Sequence, residues 1–189
     1  MCTETKDQEL VQKYLAQRDE ESFRQLYRRH TPALYGLALR LCRVESDAQD
    51  AIQESWIRAC TALSSFQWRS TLRTWLTGVL INCIREQSRK RNDKNETDFL
   101  IDEEMLVVDT MRSELNVEQA IARLPDGYRH VLTLHDIAGY THEEISTLLD
   151  ISIGSSKSQL HRARRAFRKL FVEGHRNGRI RRGTQPSGS

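Results

Sequence analysis

Apolar residues recur with the 3.6-residue period of an α-helix through most of this chain. One such stripe comprises Leu72, Trp75, Leu76, Val79, Leu80 and Cys83. No run of alternating β-branched residues competes with this pattern, and only 9 Gly and 3 Pro interrupt it over 189 residues. The sequence therefore predicts an all-α fold.

Neither a membrane segment nor a metal site is indicated. No stretch approaches the roughly 18 apolar residues that span a bilayer, and the N-terminus has no apolar signal core, so we expect a cytoplasmic protein without membrane insertion. The four cysteines, Cys2, Cys42, Cys60 and Cys83, form no C-x-x-C pair. Three of them fall in helical patterns and are expected to be buried free thiols, whereas a reactive or metal-sensing role for Cys2 stays open. We expect no metal and no cofactor.

Charge is distributed unevenly, although the net charge is only +3. Residues 93–118 hold nine acids and two bases, whereas residues 157–182 hold ten Lys or Arg and one Glu. Clustered cations gain affinity for a phosphate backbone by releasing its counterions, so we expect an anionic partner for the C-terminal part. The polar, acidic stretch predicts a flexible linker between two small helical domains. The predicted segments are domains at 8–91 and 115–172, a linker at 92–114 and a disordered basic tail at 173–189.

Three helix starts are predicted in the first domain. Asp19, Thr31 before Pro32, and Ser46 have side chains that can cap a helix N-terminus. The helix after Ser46 carries an apolar stripe opposite a charged face that contains Asp47, Asp50, Glu54 and Arg58. Composition alone favours a merely solvated face here.

A loop and the helix after it carry groups that suit single-stranded nucleic acid. The loop Phe66-Gln67-Trp68-Arg69-Ser70 places aromatic rings beside a cation, and unstacked bases bind by stacking on rings while cations meet their phosphates. Asn82, Arg85 and Arg89 share one face near the end of the helix. Cations in a last helical turn also complement the helix macrodipole, which would account for them unaided.

The second domain shows the pattern of a helix-turn-helix. A helix opening at Pro125 ends near Gly139, and a capping box formed by Thr141 and Glu144 starts a short helix. A long basic helix, to about Phe171, follows a tight turn. Its predicted buried stripe is Ile153, Leu160, Ala163, Phe167 and Leu170. Its opposite face carries Lys157, Ser158, His161, Arg162, Arg165 and Lys169. The second helix of this motif reads the major groove of DNA; the alternative is a hairpin with a solvated basic face.

Together the two halves resemble the extracytoplasmic-function (ECF) group of the sigma-70 family over about residues 8–172. In the first half the resemblance rests on the segment Asp47-Ala48-Gln49-Asp50-Ala51-Ile52-Gln53-Glu54, on Phe66, on Thr74-Trp75-Leu76 and on Ile81-Asn82. In the second half it rests on Leu124-Pro125, on Gly139-Tyr140-Thr141-His142-Glu143-Glu144-Ile145 and on residues 153–164. The resemblance implies a region 2 helical bundle and a region 4 helix-turn-helix. It also implies a sigma factor that binds RNA polymerase core, directs it to promoters and promotes strand opening, but catalyses nothing itself.

The resemblance further implies a role for each candidate residue. The side chains expected to bind the polymerase core are Asp47, Asp50, Gln53, Glu54 and Arg58. Those expected to capture and hold the opened minus-ten element are Phe66, Gln67, Trp68, Arg69, Ser70, Asn82, Arg85 and Arg89. Those expected to bind the minus-thirty-five element as duplex are Lys157, Ser158, His161, Arg162 and Arg165. An anti-sigma protein that wedges between the two domains is a further expected partner.

Three positions depart from the family pattern. Ser156 stands where a β-branched apolar residue is usual, so we expect looser packing of the last helix. Gln159 stands where Arg is frequent, which removes a phosphate contact or alters base preference. Trp68 stands where small or polar residues are common in the base-receiving loop.

Two other classes of function are weighed against the sigma factor. A free-standing transcriptional regulator would use the helix-turn-helix with the first domain as a dimerisation or ligand module, and would bind duplex tightly without polymerase. An enzyme finds no support, because the chain has no Gly-rich phosphate loop and no H-E-x-x-H motif. The pair His142 and Glu143 is explained by helix capping and solvation.

Overall fold

The computed structural model describes residues 2–42, 44–92 and 116–182. These residues form helices and turns with no strand among them, which confirms the all-α class. The chain divides into two compact units, residues 1–96 and 97–189. Apart from Asn92, the predicted acidic linker lies outside the described residues. None of the described helices is long and apolar enough to cross a membrane.

The first unit is a bundle whose helices are α1 (Cys2–Gln17), α2 (Glu20–Leu41), α3 (Glu45–Ala62) and α4 (Leu72–Asn92), with a 3-10 turn at Leu63–Ser65. α2 packs against α1, α3 and α4, and α3 packs against α4. Leu26, Leu41, Leu80 and Ile81 are among the side chains buried in its core. Removing this apolar surface from water is the main term that holds the helices together.

Two of the three predicted helix starts in this unit are wrong. Asp19 does cap α2, because its carboxylate accepts a 3.0 Å hydrogen bond from the backbone N–H of Ser22. No helix starts at Thr31, since α2 continues through Pro32. The apolar stripe of α2 is buried on both sides of that proline, and this burial outweighs the roughly 3 kcal/mol that a helix-interior proline costs. α3 begins one residue before Ser46, without a side-chain cap.

The second unit contains α5 (Val117–Ala122), α6 (Asp126–Leu132), α7 (His142–Leu149) and α8 (Ile153–Arg182), and α6 continues as a π-helical turn over Thr133–Ile137. α8 packs against α5, α6 and α7. Gly139 has a φ of 77°, a left-handed conformation that glycine adopts without strain, and it separates the π-helical turn from α7. The predicted capping box of α7 is confirmed, with hydrogen bonds of 3.2 Å and 2.9 Å between Thr141 and Glu144.

α8 differs from its predicted form at both ends. Ile153 is 40% exposed, because the first turn of α8 does not pack into the core of the second unit. The buried stripe starts at Ser156 instead, which is fully buried. The buried side of α8 comprises Ser156, Leu160, Ala163, Ala166 and Leu170. The helix also continues to Arg182, well past Phe171 and through residues predicted to be disordered. Gly174 and Gly178 weaken a helix by only about 1 kcal/mol each, and no proline occurs between Phe171 and Pro186. The rest of the predicted tail, residues 183–189, lies outside the described residues.

Cys42, Cys60 and Cys83 are free thiols. Cys42 and Cys83 are buried, as predicted, whereas Cys60 is half-buried. Burial raises the pKa of both Cys60 and Cys83, so the thiolate forms are disfavoured. No group of three or more potential metal ligands occurs among the described residues.

Candidate nucleic-acid and protein interfaces

An exposed face of α3 combines acidic, amide and apolar side chains. Asp50, Gln53 and Ile57 are exposed at helical spacing, and Ile57 is 62% exposed. Sequence analysis missed Ile57 because a single apolar residue on a polar face carries no periodic signal. Asp47 was predicted to share this face but is buried. Asp47 lies in the first turn of α3 and is only 8% exposed, so it does not belong to the accessible part of this face.

Arg58 links α3 to α4 beside this face. Its Nη1 and Nη2 donate hydrogen bonds of 2.8 Å to the two carboxylate oxygens of Glu86, and its Nε donates one of 2.6 Å to Glu54. These bonds lower the pKa of Glu86 and raise that of Arg58, so both groups stay charged at neutral pH. We name Asp50, Gln53, Glu54, Ile57 and Arg58 the α3 face. Within it, Arg58 is already held by two carboxylates.

The loop before α4 carries a contiguous aromatic cluster. The ring of Phe66 stacks on that of Trp75 at a centroid distance of 5.0 Å and contacts that of Trp68 at 4.8 Å. Trp68 has a φ of 57°, a left-handed conformation that is unfavourable for a large side chain. Gln67, Arg69 and Ser70 are exposed, whereas Phe66 and Trp68 are half-buried. The loop therefore carries aromatic ring surface, the Arg69 guanidinium and the Ser70 hydroxyl within five consecutive residues.

The predicted contacts on α4 lie along a different part of the first unit. Asn82 and Arg89 are exposed and Arg85 is half-buried, and their spacing of three and four residues puts them on one side of the helix. α4 begins at Leu72, so at 1.5 Å per residue these groups lie about 15–26 Å along the helix from its start. The loop and the α4 cations therefore cannot hold the same nucleotide.

The predicted reading face of α8 is exposed throughout. Lys157, Ser158, His161, Arg162 and Arg165 all lie on the solvent side, opposite the buried side. The start of the helix is capped by Ser152, whose Oγ accepts a 3.0 Å hydrogen bond from the backbone N–H of Ser155. The predicted two-sided character of this helix is thus confirmed for the residues that would face DNA.

Two of the departures from the family pattern acquire a structural explanation. Ser156 is buried, and its hydroxyl is hydrogen-bonded to Nδ1 of His142 at 2.9 Å, so a polar contact stands where the family pattern has an apolar one. Gln159 is half-buried, and its Oε1 lies 3.6 Å from the position that a Cβ on Gly127 would take. Gln159 therefore contacts α6 rather than extending into solvent. A serine at an inward position of a helix is the signal that would have indicated a buried polar partner for Ser156.

Arg129 is a buried cation that sequence analysis missed. It is 2% exposed, and its guanidinium donates hydrogen bonds to the carbonyl of Leu124 at 2.9 Å and to Asp126 at 2.7 Å. These bonds satisfy a charged group that would otherwise be costly to bury. Its place in the core shows a structural role and not a binding one.

The chain is similar to two known protein families and to several curated proteins. The family Sigma-70 region 2 matches residues 26–94, and the family Sigma-70, region 4 matches residues 114–167. The RNA polymerase sigma-H factor of Pseudomonas aeruginosa is 29% identical over 189 residues, covering 90% of this chain and 96% of that protein. The ECF RNA polymerase sigma factor SigM of Mycobacterium tuberculosis (strain H37Rv) is 29% identical over 171 residues, covering 89% and 86% respectively.

Solved structures share the fold. The sigma factor RpoE in complex with the anti-sigma factor NepR, from Bartonella quintana, is similar with a TM-score of 0.64 at 24% identity, over 80% of this chain and 98% of that chain. CnrH in complex with the cytosolic domain of CnrY gives a TM-score of 0.63 at 22% identity, over 89% and 98%.

Proposed function

Since this chain belongs to the ECF group of the sigma-70 family, it is a transcription initiation factor that directs RNA polymerase to promoters, and we propose that its two units bind different states of the DNA. The observation that carries this division is a chemical contrast between the two exposed surfaces. The loop of the first unit offers aromatic ring surface, whereas the reading face of α8 is polar and cationic. Ring faces suit unstacked bases, and polar groups suit the base edges of paired DNA.

The reading face of α8 would bind the minus-thirty-five element as duplex. Lys157 and Ser158 stand in the first turns of the helix, which is the part that approaches base edges in a helix-turn-helix. Arg162 can donate two hydrogen bonds to a guanine, whereas Lys157 and Arg165 suit phosphates. His161, between them, can donate to either.

The first unit would hold the minus-ten element after its strands separate. We propose that a base of the opened strand stacks on the cluster formed by Phe66 and Trp68, with Gln67, Arg69 and Ser70 around it. Asn82, Arg85 and Arg89 would hold the backbone further along that strand, as their separation from the loop requires. Unstacking costs a few kcal/mol per base step, so these contacts must be made only after opening in order to favour it.

The α3 face would bind the polymerase core. Asp50, Gln53 and Ile57 are its accessible members, and a partner that covers Ile57 would remove apolar surface from water. Glu54 and Arg58 would frame the contact, and the buried Asp47 would support the helix without contacting the partner. We propose that the protein acts in the cytoplasm with polymerase, and that an anti-sigma protein binds it, as one binds the Bartonella quintana relative.

Reconstitution with polymerase core tests this function. We expect the holoenzyme to produce run-off transcripts from promoters that are identified by sequencing its products, and the isolated chain to shift the same duplexes weakly in a gel. Tight duplex binding without polymerase and no transcript at any genomic promoter would favour the free-standing regulator instead. Replacing both Lys157 and Arg162 by Ala should abolish dependence on the minus-thirty-five element while leaving core binding intact.

A further inference from the structure

A chain of side-chain contacts joins α8 to the elements before it. It meets α8 at two positions, Ser156 and Arg164. Near the start of α8, the buried hydroxyl of Ser156 is hydrogen-bonded to His142 at the start of α7. The ring of His142 lies 4.7 Å from that of His135 in the π-helical turn. His135 contacts Asp136 at 2.8 Å, and Asp136 accepts hydrogen bonds of 2.9 Å and 2.6 Å from Arg164 on α8.

The two attachment points lie on either side of most of the reading face, with Arg165 just beyond the second. Ser156 and Arg164 are eight residues apart, which is about 12 Å along the helix and a little over two turns. Lys157, His161 and Arg162 lie between them on the exposed side. Any shift or rotation of α8 that misplaces these side chains must therefore stretch one of the two attachments.

We propose that Ser156, His142 and Asp136 are positioning residues that hold the reading face of α8 in register with the minus-thirty-five element, and that protonation of His142 weakens this attachment. The inference deepens the proposed function and rests on it. It concerns a serine that stands where the family usually has an apolar residue, so the device is a property of this chain.

The charges around His142 determine the direction of the pH effect. His135 faces it from the π-helical turn, and Lys157 and Arg164 face it from α8. Glu143, on its own helix, opposes them, and Asp136 neutralises part of the charge of Arg164. Desolvation, followed by these neighbouring cations, lowers the pKa of His142 below its usual value of 6.5. A protonated Nδ1 can still donate a hydrogen bond to the Ser156 hydroxyl, so the effect of acid is repulsion between His142 and the cations of α8. The attachment at Ser156 is therefore strongest above about pH 6.5 and weakens as the pH falls through the lowered value. A protonated His142 places an additional cation against His135, Lys157 and Arg164.

The test uses reconstituted holoenzyme and measures the ratio of initiation at a promoter with an intact minus-thirty-five element to initiation at the same promoter with that element scrambled. Taking this ratio cancels pH effects that arise in the first unit or in the polymerase. We expect Ser156→Ala to lower the ratio about three- to tenfold at neutral pH, while the control Ser155→Ala, one residue away and outside the chain of contacts, stays within about twofold of wild type. Ser156→Ala combined with His142→Ala should lower the ratio no further than either change alone, because both remove the same contact.

The pH profile separates positioning from a merely structural role. The wild-type ratio should fall between about pH 7.5 and about pH 5.5, whereas His142→Gln, which keeps a hydrogen-bonding side chain without its charge, should retain the neutral ratio and lose the acid-dependent fall. If Ser156→Ala fails to fold, as judged by circular dichroism, the comparison of His142→Gln with wild type decides alone.

Two results would overturn the inference. One is a wild-type ratio that depends on the element but is indifferent to pH, and the other is equal behaviour of Ser156→Ala and Ser155→Ala. A wild-type ratio of about one would instead reject the proposed function, so the two failures are distinguishable.

Discussion

The Arg58 guanidinium on α3 and the Glu86 carboxylate on α4 form two hydrogen bonds of 2.8 Å each. Arg58 also binds Glu54, so releasing it toward a protein partner would break three bonds. The binding energy of the α3 face is therefore expected to come mainly from side chains that pay no such cost, above all Ile57.

We predict that Ile57→Ala weakens binding to polymerase core about tenfold, because the complex would remove this apolar side chain from water and fully burying an Ile side chain is worth about 1.5–3 kcal/mol. The affinity can be measured by competition with a labelled sigma factor for core enzyme. Leu39→Ala, which removes an apolar side chain of similar size and 42% exposure from α2, is the matched control and should change the Kd less than twofold. Equal effects of the two changes would remove Ile57 from the interface.

Trp68 is expected to act on opened DNA. Trp68→Ala should slow formation of the open complex by about five- to 150-fold, which corresponds to the 1–3 kcal/mol of one base-aromatic stacking contact. Trp68→Phe should retain most of the activity. Permanganate reactivity of unpaired thymines gives the measurement, and a promoter carrying a pre-opened mismatch at the minus-ten element should restore much of the lost rate. Normal opening by Trp68→Ala would show that the base is captured elsewhere.

His30 makes the stability of the first unit depend on pH. It is buried against Asp7 at 3.1 Å, and Arg29 binds the same carboxylate at 2.8 Å. Desolvation lowers the pKa of His30, although Asp7 opposes the shift. The unfolded chain therefore binds a proton more readily, and stability is complete above about pH 6.5 and decreases as the pH falls through the lowered value.

Urea unfolding at a series of pH values tests this dependence. We expect His30→Gln to flatten the profile between about pH 7 and about pH 5. Replacing the exposed His161 by Gln should leave the profile of the first unit unchanged.

Arg129 should contribute to the stability of the second unit without contributing to DNA binding directly. Arg129→Met keeps most of the buried stem but removes the hydrogen bonds to Leu124 and Asp126, so we predict a loss of about 1–3 kcal/mol in the free energy of unfolding. Arg123→Met, at an exposed position near the end of α5, should cost less than about 0.5 kcal/mol. A loss as small as that of the control would mean that the guanidinium contributes little net stability.

Helical period and capping chemistry predicted the class of fold and much of the second unit. The capping box at Thr141, the glycine at position 139 and the exposed face of α8 follow from local rules that involve only neighbouring residues. The same rules failed at Thr31 and Pro32, because the penalty of a proline is local whereas the burial that offsets it comes from the rest of the bundle. They also placed the start of the buried stripe of α8 at Ile153. The spacing from Ile153 to Leu160 fits the helical period, but spacing does not show that the first turn of the helix is exposed.

Contacts between distant residues could not be derived from spacing. Arg58 and Glu86 are 28 positions apart, as are Asp136 and Arg164, and nothing in either segment identifies its partner. The serine at position 156 likewise predicts looser packing when it is considered alone, because spacing does not reveal that His142 is its hydrogen-bond partner. Buried polar groups are positions where sequence analysis of a helical protein is least secure, because each depends on a partner supplied by the tertiary fold.

All three tryptophans of the chain, Trp56, Trp68 and Trp75, belong to the first unit. Indole emission therefore reports on that unit alone, and any cooperative change seen in helical circular dichroism but absent from the emission must originate in the rest of the chain. The molecule thus carries an intrinsic optical label that assigns each melting transition to its half without chemical modification.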